Sequence, residues 1–310
     1  MGFKLAVPKF AIPKADSSAL ALTHARLKAW WDGDLAPKLE IVQSPLDSPE
    51  TSNATEIDEA DIHVRASAAL WGDGRSFPSN AELESDLILR AGGKKASRIA
   101  LFGGGTGALA RVGSQITAAK IDIYEADKAV TASLEKSVKA LKAGKRIGIH
   151  AFDWQPSSLP KGKADGALFM FLGGQQGKIE AGAFCAERVL RPGAQAVWID
   201  FFARRDDETL DDCRGHDMRR FGTEEEATIA FSACGLLMQA DEDWSAQYLD
   251  AFEGAWRDLA VNVGVRQAAM IKDGGYLAST AALQNLICWK ARSAAIRTGK
   301  LMVRRYVLAA

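Results

Sequence analysis

Residues 98–113, RIALFGGGTGALARVG, place an apolar run directly before four glycines within five residues, and an Ala- and Leu-rich stretch follows. The apolar run predicts a strand, and the stretch after the glycines predicts a helix. A glycine-rich turn between a strand and a helix brings backbone N–H groups and the helix N-terminus close to a ligand. The sequence therefore predicts an α/β unit whose backbone is approached at residues 103–107.

Strands and helices alternate along the next hundred residues. After 98–103, β-rich runs recur at 120–126 (KIDIYEA), 146–152 (RIGIHAF), 166–172 (GALFMFL) and 194–202 (AQAVWIDFF). Helical patterns separate them, and the helix predicted at 128–143 carries one apolar face made of Val130, Leu134, Val138 and Leu141. This alternation is typical of a doubly wound α/β fold, a parallel sheet joined by right-handed crossovers.

The flanking regions differ in texture from this core. We expect residues 1–95 to form an N-terminal helical or lid segment, with helices near 17–31 and 80–91 and an exposed stretch at 44–61. Thr223 with Glu226 three residues later predicts a capped helix at 223–234. The remainder, 96–310, is predicted to be one Rossmann-like domain with a helical insertion at about 240–298 that covers the site, followed by a last strand.

Composition narrows the classes of function. Lys and Arg total 39 and Asp and Glu total 39 in 310 residues, so no overall charge favours nucleic acid as a partner. The four cysteines form no C-x-x-C, and neither a metal site nor a disulfide framework is indicated. No apolar run reaches the roughly 20 residues of a membrane span. We expect a cytoplasmic protein, and its oligomeric state is left open.

The glycines and a later acid point to a nucleoside ligand. Gly103-x-Gly105-x-x-Ala108 satisfies a dinucleotide-binding fingerprint, and Glu125 lies where an acid that binds ribose is expected. On this evidence a nicotinamide dinucleotide and S-adenosylmethionine both remain candidates, and a tight turn without a ligand is the alternative to both.

Five segments in order carry a more specific pattern. Residues 98–202 resemble the core of a class I S-adenosylmethionine-dependent methyltransferase. ALFGGGTGALA resembles the family's first motif at Gly103, Gly105 and Gly107, and a ribose-binding acid follows at Glu125. HAFDWQP, KADGALFMFLGG and AERVLRPGAQAVWIDF resemble the segments around the third, fourth and fifth strands, the last with an Arg-Pro-Gly turn. The resemblance implies a mostly parallel seven-stranded sheet with helices on both faces, and S-adenosylmethionine as the cofactor.

The resemblance also implies roles for residues. Glu125 would hold the ribose diol, Asp153 would face the adenine amino group, and Trp154 would lie along the adenine ring. Leu101 occupies a position where many members carry an acid that helps to hold the methionine ammonium. The ammonium would then be met elsewhere.

The implied activity is methyl transfer to a small-molecule acceptor, with a nitrogen or oxygen nucleophile, by in-line displacement. Candidate substrate-binding residues are Trp71, Phe171 and Tyr248. Tyr248 belongs to a series of aromatic residues on one helix, and the alternative interpretation is that this series forms a packing face. His216 is a candidate general base, whereas His150 is expected to pack in the core. A non-catalytic relative with weakened cofactor binding and an NAD-dependent oxidoreductase are the alternatives.

Overall fold

The computed structural model describes residues 59–72, 74–142, 144–172, 176–204, 210 and 221–310, without the side chains of 59–61, 94, 176–177 and 263–280. The helices are α1 (Glu59–Trp71), α2 (Ala81–Gly92), α3 (Ala108–Ile116), α4 (Lys128–Lys139), α5 (Gln176–Val189), α6 (Glu224–Ala233) and α7 (Ser245–Arg297). The strands are β1 (Arg98–Phe102), β2 (Lys120–Glu125), β3 (Ile147–Ala151), β4 (Ala164–Met170), β5 (Leu190–Ala203), β6 (Gly222–Thr223), β7 (Leu237–Asp243) and β8 (Leu301–Ala309). The helix predicted near 17–31 lies outside the described residues.

One mixed sheet organises the chain. Its strand order is β3-β2-β1-β4-β5-β8-β7, and the two-residue β6 pairs with β5 off this path. Strands β1 to β5 are mutually parallel, whereas β8 runs antiparallel to both β5 and β7. The predicted doubly wound, mostly parallel seven-stranded sheet is confirmed. Within the described residues, no helix combines the length and the apolar character that crossing a membrane requires.

Two details of the sheet differ from the sequence-based expectation. Residues 237–243, which were assigned to no strand, form β7, so the long helix begins at Ser245. The Arg-Pro-Gly segment lies inside β5 at an irregularity, where the pairing with β4 jumps from Leu190 to Gln195. Gly193 takes φ +77° there and supplies the bend.

The two faces of the sheet bury separate hydrophobic clusters. Side chains of α1 to α4 and α7 pack on one face, against residues such as Ile99, Leu101 and Ile123. Side chains of α5 and α6 pack on the other face, against Phe102 and Trp198 among others. Helices therefore cover both faces, as a doubly wound fold requires.

Helix α2 lies very close to the sheet although it precedes the first strand. Asn80 caps its N-terminus by accepting a hydrogen bond from the Leu83 N–H at 2.8 Å. A Cβ atom at Gly166 in β4 would lie only 1.7 Å from the Ala91 carbonyl oxygen. The described part of the N-terminal segment thus shares the core of the sheet.

A row of aromatic rings crosses five neighbouring strands. Trp198, Phe169, Phe102, Tyr124 and His150 stand on β5, β4, β1, β2 and β3 as successive register partners. Successive ring centroids are 4.8, 4.4, 5.0 and 5.0 Å apart, and all four pairs are stacked. We call this row the aromatic ladder. It ties the parallel strands together on the face that α5 and α6 cover.

His150 stands at the open end of the ladder, which corrects the expectation that it packs in the core. Its side chain is 45% exposed. The reason is topological: β3 is an edge strand, and its connection to β4 contains only the short 3₁₀ turn Pro156–Ser158. The described chain between β3 and β4 contains no α-helix, so none packs over His150 from this connection.

Candidate functional site

The carboxyl ends of β1 to β4 meet at one edge of the sheet, because these strands are parallel neighbours. Residues 103–107 follow β1, Glu125 ends β2, Asp153 and Trp154 follow β3, and Phe171 follows β4. The fold therefore brings the cofactor-binding residues expected from the sequence to a single edge.

Packing within the protein accounts for two of the glycines in the loop. A Cβ at Gly103 would lie 2.3 Å from the Met170 carbonyl oxygen, so β1 and β4 leave no room for a side chain. A Cβ at Gly107 would lie 2.7 Å from Cβ of Ser137. Gly105 differs, because its closest neighbour is the Ser76 hydroxyl at 3.2 Å from the Cβ position.

Residues 74–79 lie against the glycine loop. The Ala108 N–H donates a hydrogen bond to the Gly74 carbonyl oxygen at 3.1 Å. Arg75 holds this segment to α2 through a two-point contact with the buried carboxylate of Glu84, at 2.7 and 3.1 Å. Such bidentate pairs fix geometry as well as adding energy. The segment is thus clamped over the loop from both sides.

Two buried hydroxyls flank Gly105 without a partner. Ser76 Oγ and Thr106 Oγ1 make no hydrogen bond within the described part of the chain. Buried polar atoms are nearly always satisfied, so such a pair requires an explanation. Leu101 is 1% exposed and packs in the cluster beneath the loop, so this position supplies no charge to the edge. The described protein itself therefore leaves two polar atoms unsatisfied beside the glycine loop.

Glu125 is held in place at the end of β2. One of its carboxylate oxygens accepts hydrogen bonds from the N–H groups of Ala126 and Asp127, at 2.8 and 3.0 Å. Burial raises the pKa of Glu125, and those two hydrogen bonds partly oppose the shift. A partly buried carboxylate at the end of a strand can accept hydrogen bonds from paired hydroxyl donors.

The segment after β3 presents an acid and an aromatic ring. Asp153 is exposed and accepts a hydrogen bond from the Gln155 N–H at 3.1 Å. Trp154 is partly exposed and has φ +61°, and its ring lies 5.2 Å from that of Phe152. The Lys178 ammonium lies 6.0 Å from the Trp154 ring centroid. Such a ring is available as a planar contact surface.

Phe171 after β4 begins an aromatic wall. It has φ +49°, and its ring lies 5.0 Å from Phe77, 4.9 Å from Phe201 and 5.3 Å from Tyr248. Among the described non-glycine residues, Trp154 and Phe171 are those with positive φ. Strained backbone of this kind persists where surrounding structure enforces it and clusters at functional sites. Both residues stand at the carboxyl ends of strands.

Tyr248 lies behind this wall. Its side chain is buried, and its hydroxyl has no hydrogen-bond partner among the residues described. Burial raises the pKa of Tyr248 well above its ordinary value, so the hydroxyl keeps its proton. The other members of the aromatic series, Trp244, Phe252 and Trp256, are buried as well, which agrees with the packing-face interpretation.

Trp71 is anchored to the long helix. Its indole N–H donates a hydrogen bond to Asn285 Oδ1 at 3.2 Å, and its ring lies 6.3 Å from that of Trp289. It is 4% exposed, within the core cluster that also contains Tyr248. A contact with substrate stays a prediction for this residue. His216 lies outside the described residues.

Sequence reasoning missed Ser76, Phe77 and Thr106. Trp71 was the candidate residue that the sequence analysis took from this region. Thr106 stands inside the glycine motif, where the glycines alone were weighed. A hydroxyl residue within such a motif is the signal that could have identified it.

No protein-family model matches the sequence, and no curated protein matches it. Solved structures do match in fold. The cyclase SpnF has a TM-score of 0.62 at 15% identity over 81% of this chain and 92% of its own. The cyclopropane synthase MmaA2 of Mycobacterium tuberculosis has 0.60 at 12% identity over 83% and 100%.

A phosphoethanolamine N-methyltransferase of Haemonchus contortus, in complex with S-adenosylhomocysteine, has a TM-score of 0.63 at 13% identity over 80% of this chain and 57% of its own. The chain thus has the Rossmann-like fold that class I S-adenosylmethionine-dependent methyltransferases share. The named activities of these three proteins differ, so the chemistry of this chain must be argued from its own residues.

Proposed function

We propose that this protein is an enzyme that transfers a methyl group from S-adenosylmethionine to a small-molecule acceptor with a nitrogen or oxygen nucleophile. The observation that carries the proposal is the pair of buried, unpartnered hydroxyls of Ser76 and Thr106 beside Gly105, on the edge where Glu125 also stands. A glycine cradle, two polar groups and a carboxylate match the successive parts of this cofactor.

The residues present fit the cofactor from end to end. The backbone of residues 103–107, with Ser76 and Thr106, would hold the amino-acid end, which compensates for Leu101. Glu125 would bind the ribose diol, and Asp153 and Trp154 would meet the adenine. When bound, the cofactor supplies an electrophilic methyl group on a positively charged sulfur.

The chain's own contribution is placement and exclusion of water. Methyl transfer needs the nucleophile in line with the breaking bond, and orientation of this kind lowers a barrier substantially. Phe77 and Phe171 supply an apolar wall beside the glycine loop. Tyr248 packs behind Phe171 and keeps its proton, so it would support this wall and would not act as a base. His216 remains the candidate base for a protonated acceptor.

Ligand-dependent thermal unfolding tests the cofactor assignment. S-adenosylmethionine and S-adenosylhomocysteine should each raise the unfolding midpoint, because a ligand at 100 times its Kd stabilises a fold by about 2.7 kcal/mol. NAD should not raise it. A response to NAD alone would identify an oxidoreductase instead. No response to any of the three would identify a relative that has lost cofactor binding.

Glu125→Gln tests the ribose contact. Charge-assisted hydrogen bonds contribute about 1.5–3 kcal/mol, so S-adenosylhomocysteine should bind about 10- to 100-fold more weakly by calorimetry. Glu135→Gln, an exposed change on α4, should leave affinity unchanged. Equal affinity in the Glu125 variant and the wild type would show that Glu125, at the end of β2, does not contact the cofactor.

The same variant should be more stable without ligand at neutral pH. The raised pKa of Glu125 means that the native state binds this proton more tightly than the unfolded state does. Its contribution to stability is therefore present below pH 4.5, the ordinary pKa, and is lost as the pH rises through the raised value. Urea titrations of wild type and variant at pH 4.5 and pH 7 should show the variant gaining relative stability at the higher pH.

A further inference from the structure

A cavity lies beside the segment that follows β3. Its volume is about 210 Å³, and it opens on the face of the sheet that carries the aromatic ladder. The strands provide its floor with Arg98, Asp122, Tyr124 and His150, and the residues after β3 provide a wall with Phe152, Leu159 and Pro160. The proposed methyl-transfer site uses none of these side chains.

A buried carboxylate organises the floor of this cavity. Asp122 Oδ2 lies 3.1 Å from Arg98 Nη1, and Asp122 Oδ1 lies 2.9 Å from His150 Nε2. A Cβ at Gly148 would lie 2.7 Å from Asp122 Oδ1 and 2.9 Å from His150 Nε2. Glycine at position 148 therefore makes this three-residue contact sterically feasible.

The cavity presents a guanidinium, an imidazole and a phenol, with a carboxylate beneath them. The side chain of Asp122 is 4% exposed, whereas those of Arg98 and His150 are 33% and 45% exposed. A ligand thus meets the guanidinium and the imidazole, while the carboxylate beneath them is covered. Burial and the charge of Asp122 raise the pKa of Tyr124 to about 12, so its hydroxyl is also a donor at neutral pH.

The remaining walls favour a flat ring. The ladder ends at His150, whose ring stacks on Tyr124 and is exposed on the edge strand. Phe152 and Leu159 are buried hydrophobic residues that face the same cavity. Pockets for drug-sized ligands measure roughly 300–1,000 Å³, so this volume suits a single ring with one substituent.

We propose that this cavity binds a small, single-ring aromatic carboxylate. The carboxylate would pair with the planar guanidinium of Arg98, whose fork geometry matches two carboxylate oxygens. The ring would lie between the end of the aromatic ladder and the Phe152–Leu159 wall. Asp122 holds both Arg98 and His150 in position, so it acts as a positioning residue and not as a contact for the ligand's anionic group.

Titration with three probes tests the proposal on the unmodified protein. We expect benzoate to bind and to shift the amide resonances of Ala151 and Ser158, which line the cavity, in spectra of ¹⁵N-labelled protein. Benzamide, which keeps the ring but lacks the charge, should bind at least tenfold more weakly. Acetate, which lacks the ring, should also bind at least tenfold more weakly. Equal affinity for benzoate and benzamide, or shifts only at residues remote from the cavity, would overturn the proposal.

A matched pair of variants locates the anchor. Arg98→Gln should weaken benzoate binding at least tenfold, while Arg90→Gln, which removes the same charge from a more exposed ion pair on α2, should leave it unchanged. If both variants bound benzoate equally weakly, the loss of one positive charge would explain the result, and the proposal would be contradicted. The circular dichroism spectrum and the urea unfolding midpoint of the Arg98 variant serve as the check on folding. The outcome is independent of the proposed methyl transfer, because benzoate binding is measured without cofactor.

Discussion

Gly103 is part of a ligand-binding motif, but packing within the protein also requires a glycine at this position. Its φ of +79° favours glycine, and the Met170 carbonyl oxygen lies 2.3 Å from where a Cβ would stand. The nucleotide-binding motif therefore coincides here with a close contact between two strands. Ligand binding alone does not account for this glycine.

Gly103→Ala should lower the free energy of unfolding by about 2–5 kcal/mol, because left-handed strain of about 1–2 kcal/mol adds to a displaced backbone. Gly193→Ala is a matched control, since it has φ +77° and no atom within 4 Å of the Cβ position. The control should lose only about 1–2 kcal/mol. Urea unfolding followed by tryptophan fluorescence measures both. Equal losses would show that the strand contact is unimportant.

At the same scale, the sequence could locate Glu125 but not Ser76. Glu125 follows a strand at a fixed distance from the glycines, and strand ends are readable from apolar runs. Ser76 reaches Gly105 only because Arg75 and Glu84 clamp its segment to α2. Such a contact depends on tertiary packing, so it cannot be predicted from the spacing of residues along the chain.

Helices were predictable where local chemistry determines their ends. Helix α6 begins at the capping box expected from the sequence: Thr223 Oγ1 accepts from the Glu226 N–H at 3.3 Å, and Glu226 Oε2 accepts from the Thr223 N–H at 2.9 Å. Strand β7 was missed for the opposite reason. It is an edge strand whose side chains are largely exposed, so its sequence, LMQADED, lacks an apolar run. Pairing with β8 creates this strand.

Thr223→Ala should therefore destabilise the fold by about 1 kcal/mol, the usual cost of losing an N-cap. Thr223→Ser, which keeps the accepting oxygen, should restore most of that loss. Chemical denaturation of the three proteins at one pH provides the comparison. If the serine variant were as unstable as the alanine variant, the methyl group of Thr223, and not its hydroxyl, would be the stabilising feature.

At the scale of the whole molecule, Arg305 joins parts of the chain that lie far apart in sequence. From β8 it contacts Asp86 on α2 at 3.0 Å and Glu242 on β7, and its guanidinium carbon lies 4.2 Å from the Trp244 ring centroid. The residue is 2% exposed, and burial lowers the pKa of Arg305. One side chain thus links the helix before the sheet to the last two strands.

Replacing Arg305 should lower the free energy of unfolding, because it removes this link. Arg305→Met keeps the side-chain volume and removes the charge, and we expect a loss of about 2 kcal/mol. This is less than the roughly 3–5 kcal/mol typical of a fully buried pair, because Asp86 and Glu242 are 40% and 42% exposed and can be rehydrated.

Arg297→Met is the matched control, since Arg297 pairs with Glu253 at 2.8 Å on the surface, with side chains 44% and 49% exposed. It should cost less than about 1 kcal/mol. The difference should persist in 1 M salt, where the Debye length falls to about 3 Å and exposed pairs are screened. Urea unfolding by circular dichroism and by fluorescence, with coincident transitions, measures both variants. Equal losses at low salt that vanish together at high salt would show that Arg305 acts as a surface charge and not as a buried link.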